Sequence, residues 1–291
     1  MSYKPIYVIV TCARDEAKYI NQTIKSVINQ TIRPSQWIIV DDGSSDSTGK
    51  IIDSYAARHD WITPIHRTNR GFRSAGYGVI EAFYDGYNYI RIDGWNYIVK
   101  LDGDLEFDAD YFEKCFRKFK ENSQLGIGGG DIHNVGTNGK LVREKNPVFH
   151  VRGATKIYTK ECWERIGSLI KAPGWDTIDE LKANQQGFET KTFADIRLLQ
   201  LKNTGSAYGP WRDWVKNGKA NYISCYHPIF MIIKCVIRIF DRPFFIASAG
   251  LFWGFVSGYI NGIEQISDKE LKKYIQNQQL KKICFKQTIW K

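Results

Sequence analysis

Several common signatures are missing from this chain. None of its six cysteines (Cys12, Cys115, Cys162, Cys225, Cys235, Cys284) stands in a CxxC pair, which argues against a zinc site or a disulfide framework. They read as thiols of a reducing compartment. The first apolar run begins almost at the N-terminus, so no signal peptide is read, and a cytoplasmic location is expected. Gly126-Ile127-Gly128-Gly129-Gly130 lacks the final spacing of a dinucleotide fingerprint, and Asp131-Ile132-His133 opens no obvious helix. There is no array of interleaved aromatic and basic residues and no nucleic-acid motif. The formal charge of +10 is therefore not read as a nucleic-acid footprint, yet it calls for an anionic partner.

What is present suits one large α/β domain with an appendage: 291 residues, 43% of them hydrophobic. Ile6-Tyr7-Val8-Ile9-Val10-Thr11 reads as a buried strand. A helical pattern follows at Ile20, Ile24, Val27 and Ile28. A second apolar run, Trp37-Ile38-Ile39-Val40, ends in Asp41-Asp42-Gly43-Ser44-Ser45-Asp46, and another helix begins near Thr48. Strands alternating with helices predict a mostly parallel sheet, whose ligands bind beyond the carboxyl ends of the strands. The third run, Tyr97-Ile98-Val99-Lys100-Leu101, ends in Asp102-Gly103-Asp104. Two carboxylates at i, i+2 share one face of a strand. They repel unless a cation joins them, and hard oxygen ligands suit Mg²⁺ or Mn²⁺ with phosphate oxygens and water. A solvated turn is the competing reading. Both acidic clusters would face one crevice.

Together these segments resemble the inverting family 2 glycosyltransferases of the GT-A fold, over roughly residues 5–205. The resemblance is carried by Val8-Ile9-Val10-Thr11 with Glu16, Val40-Asp41-Asp42-Gly43-Ser44-Ser45-Asp46, Asn69-Arg70-Gly71, Leu101-Asp102-Gly103-Asp104, and Gly174-Trp175-Asp176 with Leu181 and Gly187-Phe188. It implies a nucleoside-diphosphate sugar as donor, a UDP-sugar favoured, and a divalent cation, Mn²⁺ or Mg²⁺. Asp104 would bind the metal directly, and Asp102 would contact the ribose or the metal. Thr11 would lie beneath the nucleotide base, and Glu16 would border the donor. Asp42, with Asp41, would accept a hydrogen bond from the base edge, a role that suits an acceptor-only carboxylate; a helix cap and turn is the alternative for this pair. Arg70, Arg73 and Arg212 are candidates for the diphosphate, since guanidinium forks match its oxygens. Asp176 would be the catalytic base, with Asp179 and Glu180 as rivals and an N-cap as its structural alternative. Trp175 stands where the family usually has Glu. No histidine follows Leu198-Leu199-Gln200-Leu201, where many GT-A enzymes place a further metal ligand.

A base favours a hydroxyl acceptor, such as a lipid-linked glycan or a surface polysaccharide precursor. A polyprenyl-phosphate glycosyltransferase, which needs no base, is the nearest rival. A non-catalytic nucleotide-sugar-binding protein is the rival from another class. A nucleotidyltransferase would carry a glycine-rich basic loop where this chain reads Thr11-Cys12-Ala13-Arg14-Asp15-Glu16.

The boundary expected near residue 210 separates a GT-A domain (1–210) from a helical region (211–291). Ile229 to Phe240 is apolar except for Lys234 and Arg238, and Phe244 to Ile263 carries no charge. The readings are an interfacial helix followed by a membrane span, an in-plane hairpin, or an interface between copies of the chain. With the lysine-rich tail after residue 268, the expectation is attachment to the inner face of the cell membrane, or homo-oligomerisation, through residues 228–263.

Overall fold

The computed structural model describes residues 4–72, 76–135, 141–143, 146–167, 169–202, 209–240 and 244–290. The chain opens β1 (Tyr7–Ala13), α1 (Ile20–Ile28), β2 (Gln36–Asp41), α2 (Thr48–Ala56), β3 (Ile62–His66), α3 (Tyr77–Tyr87) and β4 (Tyr97–Asp102). These strands pair in parallel, in the order β3-β2-β1-β4. Burial of both faces favours the β-branched runs at Val8–Val10 and Ile38–Val40. In register, Ala13 sits beside Asp41 and Cys12 beside Asp102, so the acidic strand ends form one row.

The second half is mixed, which corrects the expectation of a mostly parallel sheet. It contributes β5 (Leu105–Phe107), α4 (Tyr111–Glu121), β6 (Leu125–Val135), β7 (Leu141–Arg143), β8 (Thr155–Thr159), α5 (Lys160–Ile166), α6 (Trp175–Gln185) and β9 (Glu189–Gln200). β8 runs antiparallel to β4 and to β6, β9 is parallel to β6, and β5 and β7 close antiparallel edges. The antiparallel pairs join strands far apart in sequence, β4 with β8 and β5 with β9, so their direction is set by tertiary placement rather than by short links. The glycine run lies in β6. Cβ atoms on Gly128 and Gly130 would meet Phe193 and Tyr111 at 2.5 and 2.7 Å, so the glycines admit aromatic packing.

One apolar layer joins the sheet to α1 and α4, and the other joins it to α3, α5 and α6. The C-terminal helices are α7 (Pro210–Ile223), α8 (Pro228–Ile237) with a 3-10 turn at Arg238–Phe240, α9 (Ile246–Ile260) and α10 (Lys269–Ile283). They share a third apolar cluster with Phe149, Ile178 and Leu181, which docks them on α6. Among the described residues no helix is long and apolar enough to cross a membrane. Within Phe244–Ile263 the helix α9 covers 15 residues. Its Gly250, Gly254 and Gly258 lie against α7, where a Cβ on Gly254 would come within 2.1 Å of the Val215 carbonyl oxygen. This seam of small residues, spaced four apart, explains the modest hydrophobicity of the stretch.

Candidate active site

β4 delivers Asp102-Gly103-Asp104 to the cleft. Gly103 is needed for close approach, since a Cβ there would lie 2.9 Å from Ile20 Cδ1. Asp102 keeps 31% of its side chain exposed and pairs with the ammonium of Lys100. That ammonium also donates to the Gly153 carbonyl at 2.5 Å. Asp104 is buried (6% exposed) and accepts a 3.2 Å hydrogen bond from Gln200. Burial, then the charges of Asp102 and Glu16, push its carboxyl up to about 7. Glu16 in turn pairs with Lys202 at 2.5 Å. Where the sequence lacks a histidine, Gln200 and Lys202 reach the acidic cluster instead.

Asp176 lies in the first turn of α6, but it is not the N-cap. Gly174 holds that place in a left-handed conformation (φ 88°), and no side chain caps the helix. Gly153 joins the two halves of the site: its carbonyl holds Lys100, and a Cβ on it would lie 3.2 Å from Asp176 Oδ2 and 2.7 Å from the Trp175 ring. Burial acts to raise the Asp176 pKa, but the positive groups of His150, Lys156, Arg152 and Lys100 outweigh it and hold the carboxyl below its ordinary value. The rival carboxylates are spent elsewhere. Asp179 (2% exposed) binds Lys156 and accepts from Tyr158, and Glu180 (0%) accepts from Val151 N–H at 2.6 Å and bonds His150 at 2.9 Å. Trp175 roofs both lysines, whose ammonium groups lie 5.4 Å (Lys100) and 5.6 Å (Lys156) from its ring.

Beyond the end of β2, Asp42 is clamped by Arg67 (2.5 Å) and by Arg70, and Glu81 bridges the two guanidinium groups. Arg67 also pairs with Asp85 at 2.7 Å. Asp41 serves the turn: it accepts from Ser44 N–H at 2.9 Å and meets His66 at 3.3 Å. Thr11, expected beneath the nucleotide base, is a core side chain of β1. It is fully buried, and its hydroxyl accepts from the Trp37 indole at 3.0 Å. Arg212 is exposed on the first turn of α7. Arg73 lies outside the described residues. Sequence reasoning missed Lys100, Lys156, Arg67 and Gly153. The signal for Lys100 was a charge inside an otherwise apolar strand run, which a fold keeps only when the charge is paired.

A family model described as glycosyl transferase family 2 matches residues 8–170, more than half of the chain. The chain belongs to that family. Among relatives of this family 2 member, the chondroitin synthase of Escherichia coli is 29% identical over 169 residues, covering 55% of this chain and 23% of that protein. A poly-beta-1,6-N-acetyl-D-glucosamine synthase of Staphylococcus epidermidis is 30% identical over 118 residues, covering 40% and 26%. The matched part of the chain thus spans about a quarter of the length of these relatives. Two solved structures share its GT-A fold. The mannosyltransferase PcManGT of Pyrobaculum calidifontis, in complex with GDP-Man and Mn²⁺, aligns with a TM-score of 0.58 at 13% identity over 89% of this chain and 74% of that one. Staphylococcus aureus TarS 1–349 with UDP-GlcNAc aligns with a TM-score of 0.55 at 16% identity over 93% and 78%.

The acidic end of β4 in this family 2 member has the chemistry of a hard-cation site. Asp104 is buried among like charges, and its only described hydrogen-bond partner on the side chain is a neutral amide. A divalent ion would relieve that repulsion. Among the described residues no set of three His, Cys, Asp or Glu side chains is arranged to hold a metal alone. Two carboxylates would leave coordination positions for diphosphate oxygens and water.

Proposed function

We propose that this chain is an inverting glycosyltransferase. It would take a sugar from a nucleoside diphosphate, a UDP-sugar first, and pass it to a hydroxyl of a carrier-linked glycan or polysaccharide precursor. The observation that carries this reading is the Gly153 junction, which sets an ionised Asp176 beside the lysine that pairs with Asp102. The names of the relatives, both polysaccharide synthases, and the UDP-GlcNAc bound to TarS support the donor and acceptor classes.

In this reading Asp176 takes the proton of the acceptor hydroxyl as its oxygen attacks the anomeric carbon. The bond from that carbon to the diphosphate oxygen breaks on the opposite side, and its electron pair leaves with the nucleoside diphosphate. A single displacement inverts the centre. Asp102 and Asp104 would hold a divalent cation, which supplies stabilisation of the charge gained by the departing diphosphate. Arg70, with Arg73 and Arg212, would meet the diphosphate, and Glu16 would border it. Asp42, fixed by two arginines, keeps lone pairs for a base-edge N–H.

The test is thermal shift of the chain against UDP-, GDP-, dTDP- and CDP-sugars with and without Mn²⁺, followed by transfer assays on Asp176→Asn. The reading expects a metal-dependent rise with one nucleotide that Asp104→Ala abolishes, and transfer reduced by about 10²–10⁴-fold in Asp176→Asn. Binding with unchanged transfer in Asp176→Asn would point to an acceptor that is already an anion, such as a polyprenyl phosphate. Binding without any turnover would favour the non-catalytic nucleotide-sugar binder.

A further inference from the structure

The C-terminal helices expose more apolar surface than their packing uses. In α8, Met231 and Cys235 are buried, while Ile229, Ile232 and Val236 are each more than half exposed and lie along one helical face. In α9 the glycine side meets α7, and Ile246, Trp253 and Ile260, seven residues apart, form an outward stripe. Between the two helices, Phe240 is 78% exposed and Phe245 is 67% exposed. Phe245 has a φ of 62°, a left-handed conformation that a bulky side chain adopts only at a cost. The backbone there directs a phenyl ring into solvent. An apolar face of this extent on a water-exposed element marks an interaction site.

Charge selects the occupant. From Trp214 to Ile263 the sequence holds Lys216, Lys219, Lys234, Arg238 and Arg242 against one acid, Asp241. Lys234 and Arg238 hold their charged ends over the rings of Tyr226 and Trp214, at 5.2 and 5.0 Å, and burial pulls the Lys234 ammonium down to about 8. A second copy meeting this face through a two-fold axis would set basic groups against basic groups. An anionic lipid surface pairs with them and takes up the apolar stripe. Trp253 and Tyr259, both about half exposed, are the residues favoured at headgroup depth.

We propose that α8, the 3-10 turn and α9 form an in-plane face that binds anionic membrane surfaces, such as the inner leaflet of the cell membrane. The inference is independent of the donor-site reading. It is tested by co-sedimentation of the full chain with phosphatidylcholine vesicles, with and without phosphatidylglycerol, at low and high salt. Expected are binding to the anionic vesicles, weakening with salt, and a loss of about tenfold or more in Phe240→Ser/Phe245→Asn. Asn tolerates the left-handed conformation, so that variant should keep its fold, which its melting temperature and far-UV spectrum check. Absence of binding by the folded chain would overturn the proposal, as would unchanged binding in the double variant. So would self-association in light scattering that the same substitutions abolish, since the face would then belong to a second copy.

Discussion

Gly153 and Asp176 are in contact through space that only glycine leaves open: a Cβ on Gly153 would sit 3.2 Å from Asp176 Oδ2 and 2.7 Å from the neighbouring Trp175 ring. The two residues come from different segments, one entering β8 and one starting α6. Gly153→Ala must push the first turn of α6 outward, because the ring cannot retreat into a filled core. The expected cost is about 1–3 kcal/mol of stability from overpacking and a loss of transfer near 10²-fold from a displaced base. Denaturant unfolding and kcat together check this. Near-normal kcat in Gly153→Ala would show that the position of Asp176 is not critical.

Asp104 is buried beside Asp102 and Glu16. Asparagine keeps an acceptor for Gln200 and removes one of three neighbouring negative charges. Asp104→Asn is therefore expected to melt higher than the parent chain in the absence of donor and metal, by roughly 2–4 °C, corresponding to about 1 kcal/mol. It should also lose any Mn²⁺-dependent shift with nucleotide. A lower melting point in Asp104→Asn would mean that the carboxylate stabilises the empty fold.

His150 carries a pH dependence. Burial acts to lower its pKa, but Glu180, at 2.9 Å, and Asp176 outweigh that and raise it above the ordinary value. A histidine raised in the folded state contributes stability that is fully present below its unfolded pKa of about 6.5 and is lost as the pH climbs through the higher folded value. The stability difference between the parent chain and His150→Gln should thus be largest in mildly acidic buffer and shrink in alkaline buffer. A difference that grows with pH would contradict the assignment.

Gly254 tests the C-terminal seam. Its Cβ would lie 2.1 Å from the carbonyl oxygen of Val215, which is backbone and cannot rotate away. Gly254→Ala gains helix propensity of about 1 kcal/mol, yet the helices must separate. A net loss of stability is expected, with weakened hydrogen-exchange protection of α7 and α9 while β1 and β4 keep theirs. A stabilised variant would show that the seam is loose.

Sequence pattern carried the strand ends well. Asp41 and Asp102 close their strands where the apolar runs predicted, and Asp176 opens a helix as its surroundings suggested. The facing of Thr11 was not legible for a physical reason: β1 is buried on both faces, so alternation gives no cue to which face looks at the cleft. Arg67 and Gly153 were invisible because their importance comes from tertiary neighbours far along the chain. The antiparallel half of the sheet was hidden for the same reason, since β8 and β5 pair with strands far along the chain. Trp175, read only as a departure from the family, turns out to cover Lys100 and Lys156 with its ring.

Those two lysines also bear on where the chain could be cut. Lys100 and Lys156 are paired neighbours on β4 and β8, both nearly or fully buried. The family match stops at residue 170, whereas the carboxylates facing Lys156, Asp179 and Glu180, come later. A fragment that ends at residue 170 would lack Trp175, Asp179 and Glu180, and with them both the cover and the counter-charges of the Lys156 ammonium. Such a fragment should be an unstable protein, with its sheet left open on the side that α6 covers.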